Sequence, residues 1–302
     1  MSHLKKGERP KCKIHEVGKS YLRAWKDENL PNKGIWYFDL ETQVIEPRSN
    51  KATFAIQNYL YVPKIDGMRI DSVEDWLSVS EDALAKFIRR IDVRDFETPI
   101  SENELVKVEL GLLSLSYRSG YEFRTLEKQL QCDNAMREQM GIKDESMIHR
   151  VVVENMINVI ELQRKQYCGG NISVVFDCKY PLLVCDRPGF DADVRGYPFN
   201  VIPLKPDAVI MLEKPDPVRI GKLRWIKHDG NPEFVQMVND MTVKRARKWI
   251  VASSQEQLEI LRDQVTPEQI KERKAKDNVT FKPLDETTKN RFWSLLNTKI
   301  IS

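Results

Sequence analysis

The stretch "KIHEVGKSYLRAW", residues 13–25, carries His15, one of the chain's four histidines, with five residues between it and the pair Tyr21-Leu22. An imidazole titrates near pH 6.5, so it both takes and gives a proton at neutral pH, and His15 is a candidate general acid/base. A histidine beside an apolar anchor equally suits a structural role, its ring hydrogen-bonded to a carbonyl or carboxylate. Chemistry would require a positioned partner. Asp186 follows the buried-looking run "PLLVC" and precedes Arg187-Pro188-Gly189, where a strand end gives way to a loop that can expose a functional group. An Asx turn accounts for the same residue. Asn239 lies on the helical stripe Val235, Asn239, Thr242 and Ala246, beside the apolar Phe234, Val238 and Met241. A buried amide without partners costs about 1–3 kcal/mol, so Asn239 must meet either a loop carbonyl or an active-site group.

Charged residues add two further candidates. Arg118 and Arg124 flank "SGYEF" between two expected helices, where two guanidiniums either fork onto phosphates or make structural ion pairs. "VVFDCK" sets Asp177 and Lys179 in the Asp-x-Lys spacing used by magnesium nucleases, with Asp186, Asp191 and Asp193 downstream as oxygen ligands. Magnesium is the cofactor this short pattern calls for. The basic run Lys244, Arg245, Arg247 and Lys248 closes an expected helix, where it either complements the dipole as solvated surface or offers a phosphate site.

The elements that must position these residues form an α+β pattern. An N-terminal hairpin segment is expected from "GIWYFDLETQVIEP", with strands over 35–39 and 43–46. A central helical block spans about 71–167. It contains a helix with the stripe Trp76, Val79, Ala83, Phe87 and Ile91, then helices over 102–117, 122–140 and 146–167. An α/β part over about 168–253 follows, a small mixed sheet with strands near 172–177 and 182–185, two short strands interrupted by Pro203 and Pro206, another in "LRWIKHDG", and a closing one in "KWIVAS". Asn231-Pro232-Glu233 opens a packed helix with an N-cap and a proline at its first position. Residues 1–253 read as one domain and 254–302 as a helical C-terminal extension. Its first helix begins at Thr266-Pro267 with Gln269 in capping-box spacing, and its last uses Phe292, Leu295 and Leu296 as a seam.

Composition narrows the classes. With 48 Lys plus Arg against 45 Asp plus Glu, the formal charge is only +3, which excludes the whole-protein field of a histone-like binder. Five cysteines without a C-x-x-C pair argue against a disulfide framework and a zinc ribbon, and point to a reducing, cytoplasmic setting. No stretch approaches the ~20 apolar residues of a membrane span. Neither a P-loop nor a G-x-G-x-x-G dinucleotide loop occurs.

The same residues carry a family resemblance. His15 to Leu22, continued by Arg23-Ala24-Trp25, resembles the opening "H-x-V-P-x-x-Y-L-[KR]-x-[FW]" of the bacterial domain of unknown function 4238. "QNYLYV" around Tyr59 and Tyr61, "SVSEDALAKFI" with Glu81, "LSYRSGYEFR", "VCDRPG", "VIPLKPD" and "VNDMTVKRARKWIVAS" follow in the family's order, covering about 13–253. The chain departs from the pattern at Ile14, where members often carry a second histidine, at Gly18, where they carry proline, and at Arg187, where they carry asparagine.

The resemblance implies that His15, Asp186, Asn239 and Arg118 meet in space. Some members lie beside mobile-element and phage-defence genes, which by association suggests an effector acting on nucleic acid in antiviral defence. The expectation is then phosphodiester cleavage of RNA or DNA. His15 would serve as general acid/base, Asp186 would orient it or hold the metal, and Asn239, the third of the catalytic set, would position the phosphate with Arg118. Arg118, Arg124, Tyr21 and Arg187 would contact substrate. The competing expectation is a non-enzymatic sensor or protein-binding module in which the polar set is a buried structural network.

Overall fold

The computed structural model describes residues 13–277 apart from 31–32, 50–52, 59, 66–67, 70–71, 195–196 and 216–220. The expected last helix, with Phe292, Leu295 and Leu296, and the motif residue Tyr59 lie outside the described residues.

The chain opens with β1 (Lys13–His15), the single turn α1 (Lys19–Leu22), and the hairpin strands β2 (Ile35–Asp39) and β3 (Ile45–Arg48). Short strands β4 (Ile56–Asn58), β5 (Lys64–Ile65) and β6 (Met68–Arg69) lead into the helices α2 (Ser72–Asp92), α3 (Glu102–Tyr117), α4 (Gly120–Cys132), α5 (Asn134–Gln139) and α6 (Ser146–Tyr167). The α/β part holds β7 (Ile172–Phe176), β8 (Val184–Cys185), β9 (Phe190–Val194), β10 (Tyr197–Lys205), β11 (Ala208–Glu213), β12 (Leu223–Lys227), α7 (Pro232–Arg245) and β13 (Trp249–Ala252). Two helices of the extension follow, α8 (Gln255–Arg262) and α9 (Pro267–Lys276). The fold is α+β. No helix among the described residues is long and apolar enough to cross a membrane.

Two main sheets carry the strands. One has the order β12-β7-β11-β10-β9, in which only the β12/β7 pair is parallel. The other, β3-β2-β13-β8, joins the N-terminal hairpin to the far end of the chain through Ile250 opposite Phe38. A central apolar cluster binds both sheets to the helices: Tyr21, Leu22 and Trp25 meet Leu84 and Phe87 of α2, Leu112 of α3, Val174, Ile210 and Trp249. A second cluster fills the helical block between α2, α4 and α6. A third lies under α8 and α9, and a fourth under α7.

Local chemistry explains the element boundaries. Ser101 accepts from the Glu104 amide while Glu104 reaches back to the Ser101 amide, a capping box that starts α3. Asn231 accepts from the Glu233 amide at 2.9 Å with Pro232 at the first position, which starts α7 as its sequence requires. Gly111 of α3 lies so near α2 that a Cβ there would be 2.7 Å from the Ser80 carbonyl.

Several expectations are corrected. The buried stripe of α2 runs through Val73, Leu77, Leu84, Phe87 and Ile91, while Val79 points to solvent at 50% exposure. The helix expected over 122–140 begins at Gly120 and breaks at Asp133, whose carboxylate turns to cap α5 by accepting from the Met136 amide. The second hairpin strand starts at Ile45 and not at Gln43, which has a left-handed backbone at φ 60°. The strand Phe190–Val194 was not expected, and β10 runs on past Pro203 to Lys205, with its register against β11 shifting between those two residues. Pairing of β10 with β9 ends at Val201, so at Pro203 only the β11 side is paired and the missing N–H is tolerated at a locally open edge.

Candidate functional site

Asp186 sits at the end of β8, fully buried. Its Oδ1 accepts from the backbone amides of Arg247 at 3.0 Å and Lys248 at 3.2 Å, and its own amide faces the Trp249 carbonyl at 3.4 Å. The carboxylate therefore fastens the turn between α7 and β13. Its Oδ2 is buried and has no hydrogen-bond partner. Beside it, burial first and the Asp186 charge second push the Cys185 thiol up to about 12, so this cysteine stays protonated and inert.

Arg118, at the elbow between α3 and α4, is also sealed, at 1% exposure. One Nη2 pairs with Glu81, the backbone carbonyl accepts from the Tyr61 hydroxyl, and Nε and Nη1 are buried without partners. Burial opposes the guanidinium charge, but Glu81, with Tyr61 and Glu74, outweighs it and holds the group above its ordinary value. Gly18 stands against this pair: a Cβ there would lie 3.5 Å from the Arg118 Nη2.

The contact between the N-terminal strand and the Asp186 turn is made by Glu16, which sequence reasoning passed over. Its carboxylate, 2% exposed, accepts from Gln57 Nε2 at 2.5 Å, Lys248 Nζ at 3.1 Å and Trp249 Nε1 at 3.4 Å. A chain of hydrogen bonds thus runs from Arg124, whose Nε donates to Gln57 Oε1 at 3.1 Å, through Gln57, Glu16 and Lys248 to Asp186. His15 stands next to Glu16, half-buried and opposite Ile56 in the β1/β4 ladder. The only sequence signal for Glu16 was an acid placed inside the motif of residues 13–25.

The remaining expected site residues make structural contacts of their own. Asn239 accepts from the Leu183 amide at 2.8 Å and donates to the Pro181 carbonyl at 3.1 Å, pinning the loop that enters β8. Tyr21 is buried and donates its hydroxyl to the Pro203 carbonyl. Asp177 pairs with Arg94 and faces Lys227, and Asp191 accepts from Tyr117, Tyr167 and Asn200. Among the described residues no three His, Cys, Asp or Glu side chains gather closely enough to hold a metal ion, so Asp177, Asp186, Asp191 and Asp193 form no ligand set.

Arg187 opens a second region. It pairs with Glu122 and lines a cavity of about 240 Å³ between α4 and α6, walled by Phe123, Met156 and Asn155 and ending at Tyr121 and Asp277. Asp277 follows α9 and is gripped by Arg247, Nε to Oδ2 at 2.5 Å and Nη2 to Oδ1 at 2.8 Å. Burial works against the Asp277 charge, but Arg247 chiefly, with Tyr121 and Arg187, holds its carboxyl below the ordinary range. Arg247 thus joins both regions: its amide holds Asp186 and its guanidinium holds Asp277.

No curated protein and no solved structure matches the chain. A family model described as "Protein of unknown function (DUF4238)" matches residues 13–256, which include Glu16, Glu81, Arg118, Asp186 and Arg247. With most of its length so matched, from the His15 strand to the first turn of α8, the chain belongs to the DUF4238 family.

Proposed function

We propose that this protein is a non-enzymatic binding or sensor module, in which the polar set around Asp186 and Arg118 is a buried frame that locks the N-terminal segment onto the α/β core. The observation that carries this reading is burial: Asp186 is 0% and Arg118 1% exposed, and each is engaged with this chain's own groups. A phosphodiester-cleaving centre needs its acid/base partner and its phosphate clamp at a surface that substrate can reach. Oδ1 of Asp186 accepts from two backbone amides, Nη2 of Arg118 pairs with Glu81, and the remaining polar atoms of both side chains are buried. Glu16 extends the frame to the His15 strand.

Nucleic-acid cleavage remains the sharpest competitor, and one experiment separates the two. The purified chain is incubated with labelled single- and double-stranded RNA and DNA, with magnesium or with a chelator, alongside thermal melts of His15→Ala. The frame reading expects no cleavage by the wild type and a lower melting temperature for His15→Ala. Magnesium-dependent cleavage that disappears in His15→Ala at an unchanged melting temperature would overturn it.

A further inference from the structure

We infer that the cavity between α4 and α6 ends in a carboxylate-binding site, filled here by the chain's own Asp277, for which a small amphipathic organic acid competes. The inference rests on the binding-module reading and names the class of ligand.

The receptor is built independently of its occupant. Arg247 Nη1 donates to the carbonyls of Lys244 at 2.7 Å, Arg245 at 3.0 Å and Ala246 at 3.1 Å, so the guanidinium is fixed at the end of α7 by groups that do not involve Asp277. Its other edge, Nε and Nη2, is left facing outward as a fork, and Asp277 takes it with both carboxylate oxygens. The Tyr121 hydroxyl bonds the same carboxylate, and Arg187 adds a favourable charge. Arg247, Tyr121 and Arg187 all lie within residues 13–256, which the family model matches, whereas Asp277 lies beyond them in the extension.

The cavity and the charges select the ligand. The lining sets apolar Phe123, Leu126, Met156 and Val159 beside polar Ser119, Asn155 and Gln163, so the body of the ligand is amphipathic. At about 240 Å³ the space is smaller than the ~300–1,000 Å³ of drug-sized sites, which suits a single ring or a short chain. Glu122 stays paired with Arg187, so withdrawing Asp277 leaves the Arg247 fork open. A carboxylate matches that planar edge with its two oxygens. A phosphate dianion would bring a surplus negative charge beside Glu122.

The test uses the full chain and three probes: benzoate, hexanoate and inorganic phosphate, titrated calorimetrically into the wild type, Asp277→Ala and Asp277→Asn. Removing the internal competitor is expected to tighten benzoate and hexanoate binding at least tenfold, with phosphate weaker than either. Adding Val159→Trp, which fills the cavity without touching Arg247, is expected to abolish that gain. Folded Asp277 variants that bind benzoate no better than the wild type would overturn the inference, as would a preference for phosphate. Failure of both variants to fold would also overturn it, because Asp277 would then be a structural tether. None of these outcomes bears on cleavage or on the His15→Ala melt, so this inference and the binding-module reading fail separately.

Discussion

The Glu16 carboxylate occupies the space that a side chain at Gly120 would need: a Cβ there would stand 2.0 Å from Glu16 Oε2 and 2.4 Å from Gln57 Nε2. The first residue of α4 is therefore bare so that the N-terminal segment can bring a charge against it. In an ordinary helix, replacing glycine by alanine gains up to about 1 kcal/mol. Here the sign reverses. Gly120→Ala must push Glu16 off Lys248 and Trp249, and we expect a loss of about 2–4 kcal/mol, read from urea unfolding. A neutral or stabilising Gly120→Ala would show that the Glu16 contact yields easily.

Asn239 bonds two backbone groups of one loop, the Leu183 amide and the Pro181 carbonyl. Asn239→Ala strands the Leu183 amide and should cost about 1–3 kcal/mol. Asn239→Asp keeps the acceptor but replaces the donor to Pro181 by a charge, and is expected to recover only part of the loss. Amide hydrogen exchange at Leu183 checks the cause, since its protection should fall in Asn239→Ala and be kept in Asn239→Asp.

Glu109, buried on α3, has its carboxyl raised from the ordinary 4.5 to about 7 by burial, an effect that Arg164 and the Cys168 thiol only partly offset. The folded chain keeps this proton to about pH 7, while the unfolded chain loses it near 4.5. Between those values the folded form binds more protons, so stability falls as pH rises. Glu109→Gln removes the titration. Its unfolding free energy should match the wild type near pH 4 and exceed it by an amount that grows to about pH 7 and then levels off, at a few kcal/mol at most. A constant offset across that range would contradict the assignment.

Much of the fold was legible where local signals agreed. The helices over 102–117 and 146–167, the N-cap at Asn231 and the capping box at Thr266 all follow from short-range chemistry and appear where the residues place them. Errors arose where tertiary context decides. In the α2 stripe Trp76, Val79, Ala83, Phe87 and Ile91, Phe87 and Ile91 are buried and Trp76 and Ala83 pack against the core, but Val79 is exposed, because apolar side chains occur on both faces of that helix. Pro203 reads as a break in the sequence, whereas the fold keeps it in β10 at the local edge where pairing with β9 has ended, with a register shift just beyond it.

The site was less legible still. The sequence offers Asp186 as a partner for His15 or an Asx-turn carboxylate and Asn239 as an amide in need of partners; the hydrogen-bond partners of both are backbone groups of segments some 60 residues away. Glu16 drew no notice because an acid between His15 and Val17 looks solvated, and the lysine that neutralises it is 232 residues distant. Asp277 was likewise invisible, since only the packing of α9 carries it to Arg247.

The most direct test of the central claim is equilibrium urea unfolding of Asp186→Ala against the wild type, with phosphodiester cleavage of labelled RNA and DNA assayed on the same samples. Removing the carboxylate leaves the Arg247 and Lys248 amides buried without acceptors, and we predict a loss of about 2–4 kcal/mol, partly restored in Asp186→Asn, with no cleavage by either protein. An Asp186→Ala variant that unfolds at the wild-type midpoint, yet has lost a cleavage activity the wild type possesses, would contradict the account.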